Sequence, residues 1–257
     1  MTATPPLHYT GQLLLTHWRE LSRNRATFYF VLVFPFVMFA GFLGLNKLVG
    51  GNQSGGTDLA TIQFPMLLCL SLAFTCMILT AGPIAEYREQ GTLRILGTTP
   101  VSRSAFIGTH LLVRFGLSLA VSIAAAGVGV VVGLTPASAL WKASLVAVPA
   151  SVLLLGLGYI IGSLINSAQA AQAMTTIVGV ALVFLSGIGL PPMLLPDGAV
   201  RVLDMLPTAY FGDLLYWVAG SSFQRHSTAV DGIVLAACAV VVVPIAVKTF
   251  RWEARKN

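Results

Sequence analysis

Charge is the scarcest property of this 257-residue chain: only 9% of its residues are Asp, Glu, Lys or Arg, whereas 56% are hydrophobic. Soluble domains carry about a quarter charged residues, so a water-facing globular fold is excluded, and a mean hydropathy of +0.84 agrees. Cysteine is rare as well. Cys69, Cys76 and Cys238 all fall within apolar runs, so no external disulfide framework is expected. The four histidines, His8, His17, His110 and His226, form no His-Glu-x-x-His pattern and are not expected to cluster, which argues against an intramembrane protease and leaves no catalytic or metal site in prospect. Phosphate-loop chemistry is missing too. Its one echo, Gly51-Asn-Gln-Ser-Gly-Gly56-Thr57, lacks the Lys that should follow the second Gly, so the chain is expected to bind no nucleotide cofactor and to hydrolyse no ATP. The carboxylates, among them Glu20, Glu86, Glu89, Asp213 and Asp231, lie outside or at the ends of the apolar runs. An ion-coupled carrier usually holds one at mid-membrane.

What the chain has in abundance is apolar length. A helix needs about 20 apolar residues to cross roughly 30 Å of hydrocarbon, and six runs qualify: 27–45, 62–85, 115–134, 143–165, 170–195 and 232–247. They lack the alternation of barrel strands, so helices must satisfy the backbone in lipid. The expected fold is all-α, a polytopic bundle of six transmembrane helices forming one membrane domain over 1–257. The first run is too long for a signal core and has no clear cleavage site, so it is expected to stay as an anchor. Basic residues set the orientation. Arg19, Arg23, Arg25, Arg88, Arg94, Arg103, Arg114, Lys248, Arg251, Arg255 and Lys256 fall on one side and only Lys47, Lys142, Arg201 and Arg225 on the other, which places both termini in the cytoplasm. The net charge of +6 is thus a topology signal, and with no basic patch interleaved with aromatics no nucleic-acid partner is expected.

Two segments depart from plain spans. In the amino-terminal stretch 1–26, Leu14, Trp18 and Leu21 recur at helical spacing while Arg19, Glu20 and Arg23 point elsewhere, the pattern of an interfacial helix with Trp18 at headgroup level. Between the second and third runs lies a charged bridge, 86–104, containing Glu86-Tyr-Arg88-Glu89-Gln-Gly91-Thr92-Leu93-Arg94 and ending in Pro100-Val-Ser-Arg103. Gly91 permits a sharp turn, Leu93, Ile95 and Leu96 give a short helix one apolar side, and Pro100 stops it. The following helix is expected to project into the cytoplasm through residues 105–113, because starting the third span earlier would bury Arg114 about 15 Å deep at a cost of about 3 kcal/mol. His110 and Arg114 are then expected on a cytoplasmic or headgroup face.

With this bridge and a late segment, Gly189-Leu-Pro191-Pro-Met-Leu-Leu-Pro196 followed by Leu206-Pro207-Thr-Ala-Tyr210, the whole chain resembles the membrane subunit of type-2 ATP-binding-cassette (ABC) exporters. The resemblance implies that the bridge is a coupling helix docking on a separate ATPase, with Glu86, Arg88, Glu89, Gly91, Thr92, Leu93, Arg94, Pro100 and Arg103 at the interface. It implies that 190–230 holds a re-entrant helical hairpin before the last span. It also implies two copies of an ABC ATPase carrying ATP and Mg, a second permease copy or a related permease, and a bacterial cytoplasmic membrane. The expected function is export of a hydrophobic or amphiphilic cargo (drug, lipid or lipid-linked molecule), with an ion-coupled carrier, channel or scaffold as the alternative. Thr75, Met77 and Thr80 in the second run and Thr175, Thr176 and Phe184 in the fifth are the candidate path residues. Gly129-Val-Val-Val-Gly133 and Gly158-Tyr-Ile-Ile-Gly162 are the expected sites of close helix approach.

Overall fold

The computed structural model describes residues 7–48, 59–91, 103–189, 195–221 and 223–249, and these are helical with short connections. The elements are α1 (Leu7–Arg23), α2 (Arg25–Leu48), α3 (Leu59–Ala73), a π turn (Phe74–Ile78), α4 (Leu79–Glu89), α5 (Arg103–Val131), α6 (Ala139–Leu164), α7 (Ala168–Leu185), α8 (Asp197–Asp204), α9 (Pro207–Ala219) and α10 (Thr228–Thr249). Six stretches are long and apolar enough to span a membrane: Arg25–Leu45, Gln63–Glu89, Ala105–Val131, Ala139–Leu164, Ala168–Leu185 and Thr228–Thr249. The chain is a multi-pass membrane protein.

One span is the axis of the bundle. In Gln63–Glu89, built from α3, the π turn and α4, an 18-residue apolar stretch has 94% of its residues buried, against 17% in the corresponding stretch of the first span and 22% in that of the last. The others surround it and turn apolar faces outward, as lipid requires of a helix with no polar side to hide. Close contact with the axis depends on glycine. A Cβ at Gly158 of α6 would stand 3.2 Å from the Met77 backbone, and one at Gly162 would stand 2.8 Å from the Ala81 carbonyl oxygen. The Gly158–Gly162 pair is therefore a seam between backbones, as its spacing predicts. The other pair divides its roles. Gly129 makes room for the Phe64 ring, but Gly133 has φ of 78° and open space around it. It ends α5 in a left-handed cap, with the Leu134 N–H reaching the Gly129 carbonyl at 2.9 Å.

One span boundary and one side-chain placement differ from the sequence expectation. The fifth span stops at Leu185 rather than 195, because Gly187 turns left-handed (φ 75°) and the Gly189 N–H returns to the Val183 carbonyl at 3.0 Å. The third helix runs unbroken from Arg103, and Arg114 is fully buried within the protein instead of resting at a headgroup face. Connectivity defines two ends of the bundle. At one, α1 lies against α5 and reaches α4 through Glu20 and Tyr87; at the other, α9 packs on the start of α6 and the end of α7, with α8 against α9. The late stretch thus does hold two short helices before the last span. There Pro207 opens α9, Thr208 Oγ1 donates to the Leu185 carbonyl at 2.8 Å, and Gly220 (φ 71°) closes the helix.

A methyl group at Gly162 has backbone against it, whereas one at exposed Gly116 of α5 meets nothing within 4 Å. Gly162→Ala is expected to destabilise the detergent-solubilised protein by about 1–3 kcal/mol, while Gly116→Ala is neutral or slightly stabilising. Thermal unfolding of the two variants side by side checks this, and equal midpoints would remove the seam from the account.

Candidate functional site

Pro83 organises the α1 end of the bundle. Within α4 it has no N–H to offer the Leu79 carbonyl one turn earlier, and a buried carbonyl without a partner is costly in lipid. Arg114 of α5 supplies the donor: its Nε reaches Leu79 O at 2.6 Å, while Nη1 bonds the His110 carbonyl at 3.2 Å. A guanidinium so deeply placed needs a counter-charge, and Glu20 of α1 provides it nearby. Burial alone would push the Glu20 carboxyl up, but hydrogen bonds with His17 and Tyr87, together with the Arg114 charge, outweigh it and hold the group below the ordinary carboxylate range. His17 packs edge-on against His110 (5.2 Å) and Phe106 (4.8 Å), and the Tyr159 hydroxyl bonds His110 Nδ1 at 2.7 Å. The histidines were not expected to meet, but two of them do.

The inward face of α1 is consequently built on His17 and Leu21, and Glu20 joins it instead of pointing to solvent. Trp18 is 47% exposed. Composition gave no hint of this cluster of Glu20, Tyr87, His110, Arg114 and Tyr159. The signal was Pro83 itself, which orphans a carbonyl that only a long donor from a neighbouring helix can reach.

The last turn of α4 fastens three more elements. Tyr87 donates its hydroxyl to Glu20 of α1. Arg88 is buried and gives Nη1 to the Gly162 and Ser163 carbonyls, acceptors that the end of α6 leaves without helical partners. Glu89 accepts the first N–H of α7, from Ala168, at 3.1 Å, favourable for an anion at a helix start. Arg88, expected on the coupling surface, thus turns inward, and Glu86 and Glu89 are the exposed charges of the group. Gly91 follows in a left-handed turn (φ 69°). Thr92, Leu93, Arg94 and Pro100 lie outside the described residues, as does the side chain of Arg103.

The candidate path residues divide into two sets. Thr75, Met77 and Thr80 are fully buried around the π turn, and the Thr75 and Thr80 hydroxyls have no hydrogen-bond partner. Thr175 is buried too, its hydroxyl spent on the Ala171 and Gln172 carbonyls of its own helix. Thr176 and Phe184 face outward from α7. A separate apolar cavity of about 370 Å³ lies between α6, α7, α9 and α10, lined by residues such as Leu154, Leu182, Phe211 and Val241.

Removing the buried donor with Arg114→Met should cost about 2–3 kcal/mol by denaturant unfolding in detergent, with Arg114→Lys recovering part of it. Because the folded-state pKa of Glu20 is depressed, its stabilising contribution is present above the ordinary carboxylate pKa and is lost as the pH falls through the lowered value. Glu20→Gln should therefore flatten the acid limb of the stability profile. An acid limb identical to that of the parent would mean that Glu20 is not paired in solution.

A family model described as ABC-2 type transporter matches residues 10–219, from within α1 to the end of α9. No curated protein matches the chain. The match covers most of the chain, including the second span, the α4–α5 bridge and α9, and the six-span helical bundle around a buried axis is in keeping with it. On this match the chain belongs to the ABC-2 type transporter family, as its membrane-embedded permease component.

Proposed function

We propose that this permease is the membrane half of an ATP-driven exporter in which segment 86–104 carries the work of a separate ATPase into the bundle. The observation that carries the reading is the clamp at the end of α4. Tyr87, Arg88 and Glu89 tie that one turn to α1, α6 and α7. A push on the segment following Gly91 would therefore move the buried axis together with its neighbours, which a flexible attachment would not do. Exposed Glu86 supplies the charge for registering a soluble partner. The eleven-to-four distribution of basic residues supports a cytoplasmic setting for this end, for both termini and for the partner.

The assembly in this reading holds two ATPase subunits, which bind ATP and Mg, beneath two permeases, either copies of this chain or one copy and a relative, in a bacterial cytoplasmic membrane. The cargo is hydrophobic or amphiphilic. The almost wholly apolar cavity between α6, α7, α9 and α10 suits an acyl chain or a drug-sized apolar body and offers nothing to hydrate an ion. Thr176 and Phe184 lie on the outward face of α7, where a route between protomers would run.

Reversing the exposed charge with Glu86→Lys leaves every hydrogen bond of the clamp intact and should lower ATP-dependent efflux at least about ten-fold, since like charges across an interface cost several kcal/mol. Glu89→Gln, which keeps an acceptor for Ala168, should be much milder. Efflux assays in cells, paired with pull-down of the ATPase, check both. Unchanged efflux and unchanged capture in Glu86→Lys would overturn the docking role.

A further inference from the structure

At the opposite end of the bundle, polar groups from α9 and α10 converge on His226. Asp213 of α9 and Asp231 of α10 are both fully buried, His226 is 26% exposed, and Tyr210 stacks on the imidazole at 4.6 Å. Asp213 is held firmly: its Oδ1 accepts Arg225 Nε at 3.1 Å, and its Oδ2 accepts the Arg225 and His226 backbone N–H groups at 3.2 and 3.1 Å and faces His226 Nδ1 at 2.7 Å. Asp231 is held by one oxygen only. Its Oδ2 accepts Gln224 Nε2 at 3.0 Å, while Oδ1 is buried with no hydrogen-bond partner, 4.0 Å from His226 Nδ1.

The charges do not balance. Among the described residues of the cluster, two fully buried carboxylates, Asp213 and Asp231, face one guanidinium, Arg225, which also binds the partly exposed Asp204 at 2.7 Å. A buried carboxylate oxygen left without a partner, as Asp231 Oδ1 is, is costly unless something meets it. We propose that Asp213, His226 and Asp231 form a divalent transition-metal site, selective for zinc, that fastens α9 to the start of the last span.

The geometry fits such an ion. One ligand atom from each residue lies within 4.8 Å of the others, and the two distances from Nδ1, 2.7 and 4.0 Å, straddle the roughly 3.3 Å between neighbouring ligands of tetrahedral zinc bonded at about 2.0–2.1 Å. The widest separation allowed by the 4.8 Å spread closes with an approach of about 1.5 Å, and water takes the fourth position. The supporting contacts that zinc sites use to orient their ligands are in place: Arg225 and two backbone N–H groups on Asp213, Gln224 on Asp231. A nitrogen ligand beside two carboxylates favours zinc over magnesium or calcium, which prefer all-oxygen shells. The site does not depend on the coupling role of the other end.

The test uses the full chain, purified through a histidine-free tag and placed in lipid nanodiscs, with cobalt(II) as a visible probe and zinc as competitor. The expected result is one cobalt per chain with the absorption bands of a four-coordinate ion, displaced by zinc, and a zinc-dependent rise in unfolding temperature. Asp231→Asn should weaken binding at least about a hundred-fold and abolish the rise. His226→Gln, at a partly exposed position, carries the same expectation should Asp231→Asn fail to fold. No cobalt above background, or equal affinity in parent and variants, would overturn the proposal.

Discussion

The orphaned carbonyl of Leu79 is the constraint from which the α1 end of this protein is built. Pro83 withholds the N–H that would have paired it, Arg114 answers from α5, and the buried guanidinium then requires Glu20. Glu20 in turn draws Tyr87 and His17 to itself and so fixes α1 against α4. A single missing proton donor in the backbone thereby determines where an amphipathic helix docks. The cost of desolvating Arg114 is met by two backbone carbonyls and a nearby carboxylate, the arrangement that makes a buried cation tolerable.

Much of this architecture is legible in the sequence, because bilayer thickness constrains apolar run length so tightly. The six spans, the Gly158–Gly162 seam and the two short helices before the last span follow from composition, spacing and proline placement. What was not legible was pairing. Treating Arg114 as an isolated charge in hydrocarbon gives a high cost and pushes it to a headgroup face; the structure lowers that cost with partners 35 and 94 residues away in sequence. Arg88 shows the same gap: run position places it on a partner-facing loop, whereas the unpaired carbonyls at the end of α6 draw it inward. Gly133, one turn after Gly129, has the spacing of a packing motif but the backbone of a helix terminator. Spacing alone does not separate these roles.

The two ends of the bundle handle buried polarity in contrasting ways. Around Arg114 and Glu20, one cation is matched by one anion and by backbone acceptors, and the elements joined are α1, α4 and α5. Around His226, carboxylates outnumber the guanidinium, and the elements joined are α8, α9 and α10. Both clusters bind short peripheral helices to long ones. They leave the middle of the bundle to apolar packing and close backbone contact, where Ser118 and Ser151 share a hydrogen bond at 2.8 Å.

The burial of the second span carries a consequence for how the protein senses its surroundings. With 94% of the residues enclosed along an 18-residue stretch of that span, against 17% and 22% in the first and last spans, the surrounding lipid touches mainly the rim and little of the axis. Changes in bilayer thickness or fluidity act on tilting outer helices, while the helix that reaches from one face of the molecule to the other experiences a constant, protein-made solvent. Membrane composition therefore reaches that helix only through the neighbours to which Tyr87, Arg88 and Glu89 tie it.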